Sequence, residues 1–162
     1  MIKDKTPQAE FHIYGGGDQI DSLRSLIGEL GLEKRVFLHG VVPAAEISSI
    51  IENADLGIVP KRKNLFGNEA FSTKILEFMC LGVPAIIPDT MIDRYYFNDS
   101  IVRFFTANDE KSLADAMLLL IENAELRKTL VRNASEFVEQ YTWKANECVY
   151  LDLVDSLLLG RG

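Results

Sequence analysis

The sequence predicts an α/β chain: a doubly wound parallel sheet with helices on both faces and a helical extension at its C-terminal end. Three observations predict it. Short apolar runs of strand type alternate repeatedly with segments whose apolar residues recur at helical spacing. The run Leu56, Gly57, Ile58, Val59 is continuous in hydrophobicity, as a parallel strand covered on both faces requires. The first run is followed by three glycines and then a helical pattern, the order of a strand, a tight turn and a helix.

The first strand is Phe11 to Tyr14, stopped by Gly15, Gly16 and Gly17, with Asp18 placed to cap the helix that follows. Leu23, Leu26, Ile27 and Leu30 give that helix one apolar face until Gly31 ends it. Three consecutive glycines do not make a G-x-G-x-x-G dinucleotide fingerprint, so they read as a turn. Val36 to Leu38 is a second strand ended by His39 and Gly40. Pro43 and Glu46 then open a helix that faces inward with Ile47, Ile50, Ile51 and Ala54. Leu56 to Val59 is the third strand, and a polar loop from Pro60 to Asn68 leaves it.

An apolar helix starting near Ser72 or Thr73 ends at Gly82 and Pro84. Pro84 to Ile87 is a fourth buried strand, a short helix follows around Asp93 to Phe97, and Val102 to Phe105 is the last strand. The adjacent rings of Tyr95, Tyr96 and Phe97 are expected to pack, not to form a stacking platform. Asn108 or Asp109 caps a helix carrying Leu113, Met117, Leu120 and Ile121, and a second helix carries Leu126, Leu130, Ala134, Phe137, Val138 and Tyr141. After a break at Thr142 and Trp143, Tyr150, Leu153, Val154, Leu157 and Leu158 form one stripe on a final helix. The reading therefore divides the chain into a Rossmann-like domain, residues 1–142, and a C-terminal helix, residues 143–162.

Composition sets limits on function. With 17 basic against 24 acidic residues the net charge is -7, which argues against a non-specific nucleic-acid binder. The one basic cluster, Lys61, Arg62 and Lys63, reads equally as a solvated loop or as a cationic rim for an anion. Cys80 and Cys148 form no metal-ligand or redox spacing and suit reduced thiols in a cytoplasmic protein. No apolar run reaches the roughly 18 residues of a membrane span, and the N-terminus lacks a signal-peptide core, so a soluble protein is expected. His12 within a strand and His39 at the end of one have no nucleophile or ligand partner at a recognisable spacing. A structural role is expected for both, with His39 also placed to line a pocket.

The stretch FGNEAFSTKILEFMCLGVP, Phe66 to Pro84, carries the chemistry. A helix beginning at Ser72 or Thr73 leaves backbone N–H groups unpaired at a partially positive tip, which can hold a phosphate. Glu69 lies outside that tip and Glu77 one to two turns in, about 6 to 8 Å along the axis. Ionised carboxylates accept hydrogen bonds from neighbouring sugar or ribose hydroxyls, so a ligand with sugar, phosphates and ribose in line would fit. Spacing alone favours a plainer reading, in which Glu69 complements the macrodipole and Glu77 is a solvated position.

Glu69, seven intervening residues, Glu77, Met79, Gly82, Val83 and Pro84 resemble the E-x7-E signature of the group 1 (family 4) retaining glycosyltransferases, enzymes of GT-B fold. That stretch usually reads E-G-F-G-x-x-x-x-E-A-M-A-x-G-x-P. Here Ala70 and Ser72 replace the glycines, and Phe78 and Cys80 replace the small residues beside Met79. The resemblance extends through the glycine turn, His39 to Val42, the third strand to Pro60, the GVP strand and the run from Asn133 to Trp143. It implies the C-terminal half of such an enzyme, which binds a nucleotide-diphosphate sugar and needs no metal or other cofactor. Val41 and Gly40 would then flank the base and Glu77 would hold the ribose. Ser72 and Thr73 would offer N–H groups to the diphosphate, Glu69 would contact the donor sugar, and Phe71 and Lys61 would complete the donor-binding set.

The resemblance also implies missing parts: the acceptor-binding half, the opening strand of this half and the basic pair after it, with residues 1–10 resembling the tail of the next helix. The missing strand would be central, so the sheet must close up, borrow a strand or differ in topology. The final helix would cross to the absent half, and self-association through it or through an open sheet edge is expected. The leading reading is the donor half of a transferase acting on a glycan or lipid-linked acceptor, inactive alone, cytoplasmic and peripheral at the membrane in the complete enzyme. The alternatives are a non-catalytic subunit of a split transferase and a nucleotide-sugar epimerase-like domain.

Overall fold

The computed structural model describes residues 1–160, and the backbone divides into two compact units, Met1–Asn53 and a second from Ala54 onward. In the first unit, β1 (Phe11–Tyr14) and β2 (Val36–Gly40) pair in parallel with Phe11 opposite Val36 and Ile13 opposite Leu38. An irregularity then sets Tyr14 opposite Gly40. The parallel pairing is allowed by the crossover helix α1 (Ile20–Glu29), and α2 (Ala44–Glu52) follows β2. Gly31 stops α1 at φ 59°, a left-handed conformation that suits glycine, with Leu32 N–H donating to Ile27 C=O and Gly31 N–H to Gly28 C=O. The α1 cap is Gln19 and not Asp18, and no side chain bonds the helix start.

Residues 1–10 form turns and not the helix tail that the resemblance implied. Thr6 N–H closes a single turn on Ile2 C=O, and Pro7 disfavours continuing it. Arg35 instead holds this segment, its guanidinium donating to the carbonyls of Ala9 and Thr6.

The second unit is a three-stranded parallel sheet in the order β3-β4-β5, built from Gly57–Ile58, Ala85–Pro88 and Arg103–Phe105. Around it lie α3 (Leu65–Glu69), α4 (Thr73–Cys80), α5 (Met91–Tyr96), α6 (Glu110–Glu122) and α7 (Ala124–Glu139), and α8 (Trp143–Leu159) closes the chain. Alternation along the strands sorts the core into two layers. Ala85, Ile87, Phe104 and Val59 pack with Ile75 and Met79 of α4 and Ala134 and Val138 of α7. Ile86 and Phe105 turn to the opposite face, against Ala116 and Leu120 of α6 and Leu130 of α7. Helices therefore cover both faces, and each fully buried isoleucine contributes about 1.5–3 kcal/mol.

The parallel α/β class holds, and the hydrogen bonding is divided between two sheets: among the described residues, β1 pairs only with β2 and β3 only with β4. α3 falls inside the stretch expected to be a loop. Asn64 makes it possible, its Oδ1 accepting from Gly67 N–H at 2.7 Å as an N-cap. Asp109, Asn123 and Thr142 cap α6, α7 and α8 in the same way.

Candidate functional site

Parallel strands bring the ends of β3, β4 and β5 to one edge, where open α/β sheets take their ligands. The chain leaving β3 runs through Lys61 into α3. Gly67 lies so close beneath the Arg62 carbonyl that a Cβ there would sit 1.8 Å from that oxygen, so no other residue fits. After Glu69 the backbone is extended, with Ala70 at φ -78°, ψ 111° and Ser72 at φ -100°, ψ 107°. Neither position needs glycine, which explains how this chain carries Ala70 and Ser72 there.

Ser72 is the N-cap of α4, and its hydroxyl does not bond the helix start, which leaves the first-turn N–H groups without a side-chain acceptor. No acidic residue lies in that turn. Lys74 stands there instead, exposed and with no ion-pair partner among the described residues. A cation at the positive end of a helix opposes the macrodipole and suits an anion held at the tip. Sequence reading missed Lys74, and that inversion of the usual charge preference was the available signal. Glu69 and Glu77 are both exposed, and their carboxylates take part in no hydrogen bond or ion pair among the described residues. They flank the α4 tip along the chain with hydroxyl-accepting capacity unused.

Lys61 sits beneath this loop. Its Nζ donates to the Ala70 carbonyl at 2.8 Å and lies 2.8 Å from Asp93 Oδ2, with only 15% of the lysine side chain exposed and none of the aspartate's. Thr90 Oγ1 donates to the same Asp93 oxygen. Two of the three ammonium directions are therefore committed within the protein, a role that neither sequence reading of the basic cluster contained. Lys63 exchanges hydrogen bonds with the Asn108 side chain and approaches Asp89 Oδ1 at 3.7 Å. Asp89 in turn accepts from Ala107 N–H, and Asn68 Oδ1 accepts from Met91 N–H. These contacts tie the loop bearing Glu69 to the segments that leave β4 and β5.

Phe71, 36% exposed, meets Tyr96 edge to face at 5.1 Å. Farther along α4, Phe78 occupies the space that a side chain at position 57 would fill: a Cβ on Gly57 would come within 2.5 Å of its ring. The chain thus accommodates a large residue beside Met79. Gly82, at φ 70°, ends the helix with Val83 N–H bonding Phe78 C=O and Gly82 N–H bonding Met79 C=O.

Lys61, Glu69, Phe71, Ser72, Thr73 and Glu77 all belong to the second unit, whereas Gly40 and Val41 stand in the first. Gly40 has φ 72° and accepts a hydrogen bond from Gly15 N–H at 2.7 Å, and Val41 is 82% exposed. His12 and His39 are exposed and joined through Nδ1 and Nε2 at 2.8 Å, with Glu10 accepting from His12 Nε2 at 3.1 Å. They support each other on the sheet and contact no nucleophile. No group of three or more His, Cys, Asp or Glu side chains among the described residues could hold a metal ion. No helix among them is long and apolar enough to cross a membrane.

Phosphatidyl-myo-inositol mannosyltransferase of Mycobacterium leprae is 32% identical over 132 residues, which are 81% of this chain and 33% of that protein. The chain thus spans about a third of the length of the curated relatives it matches. Among solved structures, sucrose-phosphate synthase from Thermosynechococcus elongatus superposes with a TM-score of 0.84 at 21% identity, over 96% of this chain and 40% of that one. The C-terminal domain of a group 1 glycosyl transferase (LpcC) from Francisella tularensis gives 0.73 at 20% identity, over 85% of this chain and 72% of that one. These two likenesses speak for the fold. A family model described as glycosyl transferases group 1 matches residues 1–137, so the chain that caps α4 with Ser72 and flanks it with two free carboxylates belongs to the group 1 glycosyl transferases.

Proposed function

We propose that this chain is the donor-binding half of a retaining glycosyltransferase, taking a nucleotide-diphosphate sugar whose sugar goes to a glycan or lipid-linked saccharide. The observation that carries the reading is the start of α4. It lacks a side-chain cap, holds Lys74 in its first turn and is flanked in sequence by Glu69 and Glu77, both exposed and unpaired. In this reading the diphosphate rests on the N–H groups of Ser72 and Thr73 with Lys74 beside it. Glu77 accepts from the ribose hydroxyls and Glu69 accepts from the sugar. Rate enhancement then comes from positioning and from stabilising charge on the departing diphosphate by helix dipole and lysine, without a divalent ion.

Titration of the chain with uridine and guanosine diphosphates and their sugar conjugates tests the site. Glu77→Ala should weaken binding about tenfold, the loss of a charge-assisted hydrogen bond. Absence of binding by the wild type, or indifference to Glu77→Ala, overturns the reading.

The acceptor half belongs, in this proposal, to a further domain or a partner chain, and the isolated chain turns over little or no donor. Relatives about three times as long support this, as does α8, whose Tyr150, Leu153, Leu157 and Leu158 are all more than half exposed. α8 would join such a partner or a second copy. Sedimentation that depends on concentration and is abolished by Leu153→Glu/Leu157→Glu is the expected result for self-association; a monomer at every concentration removes it. A cytoplasmic location, peripheral at a membrane in the complete enzyme, suits a lipid-linked acceptor.

A further inference from the structure

The two histidines of the chain stand 27 positions apart, and the parallel pairing of β1 with β2 brings them together. His12 lies opposite Phe37. The register irregularity leaves His39 between Leu38, the partner of Ile13, and Gly40, the partner of Tyr14, and Gly40 permits it at φ 72°. Alternation puts His12, Tyr14, Phe37 and His39 on one face of the two strands. Phe37 stacks on His12 at 5.1 Å and Tyr14 on His39 at 4.4 Å, which sets the edges at which the imidazoles meet.

Hydrogen bonding decides the tautomers. Glu10 accepts from His12 Nε2–H at 3.1 Å, so His12 Nδ1 carries a lone pair and accepts from His39 Nε2–H at 2.8 Å. A carboxylate behind a histidine whose other nitrogen is bare is the arrangement that orients metal-ligating imidazoles. Bonds of about 2.0–2.1 Å place two nitrogens on one ion about 2.9–3.4 Å apart, so the pair has to part by about half an ångström or less. Both rings are exposed, and a small swing about each Cα–Cβ bond converges their nitrogens on an ion. The surrounding unit gives such an ion structural value. Within Met1–Asn53 only Thr6 is buried, and small units with little core are commonly stabilised by a bound metal.

We propose that His12 Nδ1 and His39 Nε2 bind a divalent first-row transition ion of the imidazole-preferring kind, Ni2+, Cu2+ or Zn2+, with waters completing its coordination and Glu10 orienting His12. On binding, the His39 Nε2 proton leaves to solvent and Nδ1 of the same ring takes one up, so both imidazoles stay neutral. The ion then clips β1 to β2 across the helix that joins them.

Calorimetric titration of the untagged chain with NiCl2 and ZnCl2 tests the site, in a Cys80→Ser/Cys148→Ser background that removes the two exposed thiols. One ion per chain is expected. His12→Gln and His39→Gln should each weaken binding at least about tenfold, and Glu10→Gln about tenfold. With two histidines in the chain, two-bond 1H–15N spectra resolve all four ring nitrogens: Zn2+ should shift His12 Nδ1 and His39 Nε2 and leave His12 Nε2 protonated. At an ion concentration about ten times Kd, amide exchange should slow about tenfold at Phe11 and Gly15, whose N–H groups bond the Arg35 and Gly40 carbonyls across the strands.

Absence of binding at millimolar ion, binding unchanged by His12→Gln, or a spectrum in which only one of the two nitrogens moves overturns the site. Binding that shifts both nitrogens while leaving exchange at Phe11 and Gly15 unaltered supports the site and overturns the clip.

Discussion

The two compact units are built from the same alternation of strand and helix, yet they differ in what they bury. Every buried apolar side chain among the described residues lies after Asn53; in Met1–Asn53 the only buried residue is Thr6. α1 presents the regular stripe Leu23, Leu26, Ile27 and Leu30, and none of the four is buried. In the second unit, by contrast, β4 buries all four of its residues because its alternating side chains meet a helical layer on each face. An amphipathic pattern thus specifies which face a helix offers to a partner. How much is removed from water depends on whether both sides of the sheet are covered.

The largest expected effect comes from the buried ion pair that only the second unit possesses. Lys61→Met leaves Asp93 charged, buried and without its cation, and should cost about 3–5 kcal/mol in urea unfolding. Lys61→Met/Asp93→Leu should regain most of it. Equal losses in the single and double variants would show that the pair does not act as a unit. The comparison itself is sharpened by Ile87→Ala, expected to cost about 2–5 kcal/mol, set against Ile27→Ala in α1, expected to cost less than about 1 kcal/mol. Equal costs would refute the contrast. The smallest effect is local: Asn64→Ala removes the α3 cap and should cost about 1 kcal/mol while speeding amide exchange at Gly67.

Much of the second unit was legible because its signals are short-range. Ser72, Gly82 and Pro84 delimited α4, and the unbroken apolar run before Pro60 announced a parallel strand. α3 was hidden because Leu65, Phe66 and Gly67 between polar residues read as a loop, and its cause, the approach of Gly67 to Arg62, leaves no pattern. The Lys61–Asp93 pair spans 32 positions, and nothing in the spacing of a lysine and an aspartate on different elements predicts that they meet. The adjacency of Tyr95, Tyr96 and Phe97 pointed to packing, and Tyr96 does meet Phe71 as Phe97 meets Phe137. How much of each ring stays exposed was not legible, because the end of a six-residue helix turns only some of them inward, and here Phe97 took the interior. The division into two sheets was one of the outcomes left open by the sequence, since strand pairing is a property of neighbours and not of single strands.

The fit of the Phe78 ring against Gly57 makes these two positions a single unit of variation. A library that randomises position 57 alone should recover glycine, because any side chain collides with the ring. Randomising both should also admit pairs in which a methyl group at 57 is matched by a small residue at 78. Designers transplanting the α4 segment into another scaffold would therefore have to carry a strand residue with it, twenty-one positions upstream.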